Sequence, residues 1–161
     1  MLSSEKYLLS LSLTQVVSAD LLVQNSEGKF LLGKRINAPA KGYFFVPGGR
    51  VYKNENIKQG AYRMLQWELG VNRDSVKLKP RCVSEHMYED NFAGAKDEKG
   101  DPISTHYVCF AFDVTLSDFD ESVFTKQHSE AIWASPEEIL ARDDVHEYVK
   151  LYFTPDAYNR F

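Results

Sequence analysis

At 161 residues and 43% hydrophobic composition, the chain can bury one sizeable core but is too short for two ordinary domains, so residues 1–161 are expected to form a single domain. The formal net charge of -4 leaves no basic field for holding nucleic-acid phosphates, which argues against DNA or RNA as a partner. Nothing in the sequence reads as a membrane span, and the mildly apolar stretch 8–13, preceded by Glu5 and Lys6 and interrupted by serines, makes an atypical signal peptide.

The two cysteines, Cys82 and Cys109, form no C-x-x-C pair and have no histidine at zinc-ligand spacing, so they read as buried free thiols in a reducing, cytoplasmic setting. In chain order, apolar runs on either side of the turn Asn25-Ser26-Glu27-Gly28 predict a β-hairpin, with its second strand at residues 30–32. A loop of small residues and prolines over 37–42 leads to the strand Tyr43-Phe44-Phe45-Val46, which Pro47-Gly48-Gly49 breaks. A helical pattern follows over 56–69, then strands at 81–87 and 106–114, the latter with Val108, Phe110, Phe112 and Val114 alternating onto one face. The polar segment 89–104 between them reads as a surface loop that cannot pack well. Ser135-Pro136-Glu137-Glu138 has the form of a capped helix start, and residues 145–153 are expected to form the last helix.

On a wheel of roughly 100° per residue, the helix over 56–69 places Ile57, Ala61, Met64, Leu65 and Leu69 on one side, with Glu68 among them. A carboxylate on an apolar stripe, near a helix C-terminus whose dipole repels negative charge, requires a cation. That cation is either a basic side chain such as Arg63 or a bound metal, and the Gly-Gly turn just before the helix offers backbone carbonyls that an ion can approach closely.

Gly49, Glu55, Arg63, Leu65, Glu68, Gly70 and Val71 fit the pattern G-x5-E-x7-R-E-U-x-E-E-x-G-U, in which U is a bulky aliphatic residue. On these residues the chain resembles the Nudix hydrolases, and the resemblance implies an α/β fold, an α/β/α sandwich around a mixed β-sheet. Met64 and Trp67 stand where the pattern has glutamates. A reduced box of this kind resembles that of the GDP-mannose mannosyl hydrolases. Further matching segments are Phe30-Leu31-Leu32-Gly33-Lys34-Arg35, residues 42–51, Asp90-Asn91-Phe92, Thr105-His106-Tyr107-Val108 and Gln127-His128.

The resemblance implies Mg²⁺ held by the Gly49 carbonyl, Glu68 and Gln127, with His128 as general base. It also implies Arg35 and Arg50 on the diphosphate of a GDP-sugar substrate, Arg63 supporting the same region, and Asp20, His86 and Tyr107 facing the sugar or leaving group. A homodimer is expected from the same source. The residue types suit this chemistry: guanidinium groups and one dication can stabilise a departing diphosphate, and an imidazole can take a proton from water attacking the opposite face of the sugar ring. The alternatives are a Nudix pyrophosphatase cleaving a nucleotide sugar or ADP-ribose at phosphorus, which the loss of the paired glutamates disfavours, and a non-catalytic nucleotide-sugar-binding module. By residue type alone Arg35 reads as a strand-end charge, Arg50 as a loop anchor and His86, His106 and His146 as structural histidines. Tyr7, Tyr88 and Phe92 carry no assignment.

Overall fold

In the computed structural model, residues 3–116, 124 and 128–155 are described. The first described element is a helix absent from the sequence expectations, α1 (Ser4–Leu13), capped by the Ser3 hydroxyl, which accepts from the Lys6 amide. Strand β1 (Val16–Gln24) then runs through the centre of a mixed sheet, parallel to β6 (Thr105–Thr115) and antiparallel to β4 (Gly48–Arg50). Strand β6 pairs antiparallel with β5 (Lys79–Tyr88). On the other side, β2 (Phe30–Arg35) pairs with β3 (Phe44–Phe45) and with β7 (His128–Ala134).

The expected hairpin is present only at its base. Strands β1 and β2 meet at Gln24 and Phe30 and then part, because β4 takes the edge of β1 from Ser18 to Asp20 while β7 and β3 take the two edges of β2. The turn itself is held by the Asn25 side chain, which accepts from the amides of Glu27 and Lys29. The cavity described below is lined from both sides of this divergence.

Helix α2 (Ile57–Leu69) starts on a reciprocal cap, the Asn56 side chain accepting from the Gln59 amide and the Gln59 side chain from the Asn56 amide. Its buried face, Ala61, Met64, Leu65 and Leu69, packs with Ala19, Leu21 and Val23 of β1 and Leu31 of β2. Period two along the same strands turns Leu22, Phe30 and Leu32 to the opposite face, where they meet Ile139 of α3 (Pro136–Ala141), Val149 of α4 (Glu147–Leu151) and Tyr152. Helices thus cover both faces of a mixed sheet, and none among the described residues is long and apolar enough to cross a membrane. The last helix is shorter than the expected 145–153, since Val145 pairs with Phe44 and His146 caps the helix.

Segment 89–104 also departs from expectation. Its polar residues are largely exposed, but Asn91 is buried and acts as a pin, donating to the carbonyls of Ala95 and Ile103 and accepting from the amides of Ala93 and Ala95. A single buried amide that satisfies the backbone around it can order a loop lacking an apolar core.

Candidate active site

Strand alternation builds the site. Ser18 and Asp20 on β1, Ser84, His86 and Tyr88 on β5, and Tyr107 and Cys109 on β6 recur at period two and fall on one face, as the registers Ser18↔Cys109 and His86↔Tyr107 require. All of these except Ser84 line a cavity of about 210 Å³, together with Arg35, Gly49, Arg50, Glu68 and His128. Tyr88, Cys109 and Ser18 had no assignment from sequence, and their shared alternation with Asp20, His86 and Tyr107 is the signal that could have found them.

The cavity floor is a buried polar network. Tyr152 donates to Asp20 Oδ2 at 2.6 Å, and its hydroxyl lies 3.2 Å from His86 Nε2, which is also 3.1 Å from Ser84 Oγ. His86 Nδ1 lies 3.2 Å from Cys109 Sγ, which accepts from Ser18 Oγ at 2.9 Å. Burial, with His146 nearby adding to it, pushes the pKa of His86 down to about 3, so the ring is neutral around neutral pH. Stacked on Tyr148 at 4.5 Å, it is held rigidly as a hydrogen-bonding group. Burial likewise drives the phenols of Tyr88 and Tyr107 well above their usual range, so both are protonated.

Asp20 is raised from 3.8 to about 6, chiefly by burial, with Tyr152 and Arg35 opposing and Glu68 adding. A carboxyl whose folded pKa exceeds its unfolded one holds its proton longer in the native state, so stability is lost as pH rises from about 4 to about 6 and stays lost above that. Asp20→Asn is therefore expected to stabilise the metal-free protein above pH 6 by on the order of 2–3 kcal/mol, and to change it little below pH 4. Melting curves recorded with chelator across this range check it; equal melting temperatures at pH 7 would refute it.

Glu68 and His128 line the same cavity. Their side chains are each 8% exposed, with His128 Nε2 3.8 Å from Glu68 Oε2. The Gly48 amide donates to Glu68 at 3.3 Å, but Arg63 does not reach it: its guanidinium is committed to Glu55. Neither ring nitrogen of His128 has a hydrogen-bond partner among the described residues. Two buried acceptor or donor atoms left open beside a buried carboxylate are costly unless a ligand or water meets them. Gln127, the expected third metal ligand, lies outside the described residues. Met64 packs under the turn, where a β-carbon on Gly49 would meet its sulfur at 3.0 Å, so this position supplies a methyl thioether where the box has a carboxylate. Trp67, the other departure, is 49% exposed and points away from the cavity toward Arg63 and Tyr52.

The His128 ring sits in a slot made by Phe124, 4.2 Å away, and Gly33. A β-carbon on Gly33 would fall 2.5 Å from His128 Cγ and 2.6 Å from Phe124 Cζ, so Gly33→Ala must displace the imidazole. The expected loss is roughly 1–3 kcal/mol of stability, typical of overpacking, with a larger proportional loss of activity. A variant of wild-type melting temperature and turnover would show that the slot tolerates a methyl.

Arg35 donates from Nε to the Pro39 carbonyl at 2.8 Å, which aims the rest of its guanidinium along the cavity rim. Arg50 lies between two rings, 4.1 Å from the centre of Tyr7 and 5.1 Å from that of Tyr52. Arg63 is absent from the cavity lining. It forks onto Glu55, stacks 3.8 Å from Tyr52 and donates from Nη2 to the Arg50 carbonyl at 3.0 Å, which braces the backbone at Arg50. Tyr7 of α1 continues the series, stacking on Phe92 and lying 3.3 Å, hydroxyl to hydroxyl, from Tyr107.

The family profile of the NUDIX domain matches residues 14–154. In sequence, the low-salt glycan biosynthesis protein Agl8 of Haloferax volcanii is 40% identical over 139 residues, which is 85% of this chain and 79% of that protein. Among solved structures, the MutT protein of Methanosarcina mazei Go1 aligns with a TM-score of 0.65 and 22% identity over 86% of this chain and 90% of its own. The NUDIX domain of Shewanella oneidensis NrtR, crystallised with ADP ribose, aligns at 0.57 with 18% identity over 94% and 95%. At such identities these two structures speak for the fold alone.

Proposed function

The chain belongs to the Nudix family of hydrolases, which act on nucleotide derivatives and generally use a divalent metal, and from that premise we propose that it hydrolyses GDP-mannose or GDP-glucose to GDP and the free sugar. Water attacks the anomeric carbon, the bond from that carbon to the diphosphate oxygen breaks, and the configuration inverts. The observation that carries this reading is the pairing of one carboxylate with one open imidazole: α2 offers the cavity only Glu68, and His128 beside it has both ring nitrogens free among the described residues. A site so poor in carboxylates is ill equipped to activate water at phosphorus, but suits attack at carbon with a histidine base.

The donors fit Mg²⁺, since the Gly49 carbonyl of β4 and the Glu68 carboxylate of α2 are hard oxygen ligands lining one cavity and Gln127 would complete them. When bound there, the ion supplies Lewis-acid stabilisation to the departing diphosphate. Arg35 and Arg50 bind the same diphosphate and neutralise the charge that grows on it. His128 takes the proton of the attacking water and passes it to solvent. Asp20 and Tyr107 face the sugar hydroxyls on the cavity floor, and neutral His86, its two nitrogens engaged by Ser84, Tyr152 and Cys109, supports that floor from behind. The relative named for glycan biosynthesis supports a sugar-bearing substrate, because glycans are built from activated sugars. Exposed Leu9 and Leu13 on α1 support a homodimer formed through the N-terminal helix, and a cytoplasmic location completes the reading.

Hydrolysis in isotopically labelled water is expected to put the label in the sugar and none in GDP, and proton NMR should show β-mannose first, by inversion of an α-linked substrate. Label in a phosphate product would replace this reading with cleavage at phosphorus, and no turnover on a panel of nucleotide sugars would favour a binding module.

A further inference from the structure

The cavity floor carries a second cluster of potential metal ligands, separate from Glu68 and the Gly49 carbonyl. Asp20, His86 and Cys109 are all buried, and one potential ligand atom from each lies within 4.8 Å of the others. They come from three strands, β1, β5 and β6, so the arrangement is fixed by the sheet rather than by a loop. Each has a supporting partner of the kind that orients metal ligands: Ser84 and Tyr152 meet His86 Nε2, Tyr152 donates to Asp20, and Ser18 donates to Cys109. His86 Nδ1 is left facing the sulfur at 3.2 Å.

The geometry points to a second cation site, made by Cys109 Sγ, His86 Nδ1 and one Asp20 carboxylate oxygen, that takes a thiophilic divalent ion such as Zn²⁺ or Cd²⁺. A sulfur, nitrogen and oxygen set selects such ions over Mg²⁺, which prefers oxygen alone. The ion replaces the proton between Cys109 and His86: the thiol gives up its proton to solvent, the thiolate and the imidazole lone pair bind the metal, and Nε2–H donates to Ser84 or Tyr152. Sulfur and nitrogen need to separate only by a few tenths of an ångström, to about 3.5 Å, to reach tetrahedral spacing. Because all three residues line the cavity, the fourth position opens onto it, where water or a substrate oxygen completes the shell. The site shares no ligand with the Glu68 centre, and its test does not depend on which bond the enzyme cleaves, although Asp20 is also the group assigned above to the sugar.

Titration of the metal-free, reduced protein with Cd²⁺ tests it through the ultraviolet thiolate-to-metal absorption band. One equivalent should produce the band, Zn²⁺ should displace it, and excess Mg²⁺ should not. Since Cys82 and Cys109 are the only cysteines, retention of the band in Cys82→Ser assigns it to Cys109 without disturbing the buried cluster. Cys109→Ser should abolish it, His86→Gln should weaken affinity by at least about 10-fold, and Glu68→Gln should leave it intact. Absence of the band in the wild-type protein, its loss in Cys82→Ser, or its persistence in Cys109→Ser would overturn the proposal.

Discussion

Replacing His128 with glutamine is expected to lower kcat by roughly 10²–10⁴-fold, the span of general-base loss, with little change in affinity for Mg²⁺ or GDP. The expectation rests on burial and on missing partners. The ring is packed against Phe124 and Gly33, its Nε2 is 3.8 Å from Glu68, and neither nitrogen is engaged by another described residue. A histidine kept for packing alone would not leave two polar atoms open in a cavity beside a carboxylate. Glutamine retains hydrogen-bonding capacity at similar size but cannot take the proton, so the change isolates basicity from position. Steady-state kinetics with direct GDP-binding measurements read the split. Near-normal kcat would transfer the role of base elsewhere, and Asp20 would then be the first group to test, since His86 is held neutral and too weakly basic.

Glu68→Gln should weaken Mg²⁺ binding by about 10–100-fold or more and reduce turnover accordingly, a loss at least as large as that from removing a partner of a metal ligand. The same change should leave the metal-free fold intact or raise its melting temperature. Glu68 lies in the last turn of α2, where the helix dipole disfavours a carboxylate, and on a face otherwise made of Ala61, Met64, Leu65 and Leu69. Its nearby support is the Gly48 amide and His128, while Arg63, the nearest basic side chain on the same helix, is taken by Glu55. A charge buried on these terms is a cost to folding that a bound dication offsets. Calorimetric Mg²⁺ titration and melting with and without metal test both halves. Unchanged metal affinity with strong destabilisation would mean that Glu68 serves as a structural partner of His128.

Local chemistry was legible in the sequence wherever it acts over a few residues. The apolar stripe of α2 with Glu68 on its buried side, the alternation of β6 and the capped start at Ser135 all appear where the residues predicted them. The box residues were legible because a helix and the short strand and loop before it hold them at constant offsets. Helix α1 was missed because serines dilute its apolar character, and its Tyr7 gains meaning only from Arg50 and Tyr107, which are distant in the chain.

Pairing between distant strands decided the rest. No spacing rule joins Asp20, His86 and Cys109, yet the parallel register of β1 with β6 and the antiparallel register of β6 with β5 bring them onto one cavity floor. The same holds for Arg63, which the resemblance placed in support of the diphosphate region without naming its partners and which packs on Glu55 and the Arg50 carbonyl. Residue identity sets what a side chain can do within its own turn or strand. Only the register of the sheet, fixed by which apolar faces can be buried together, sets which side chains meet.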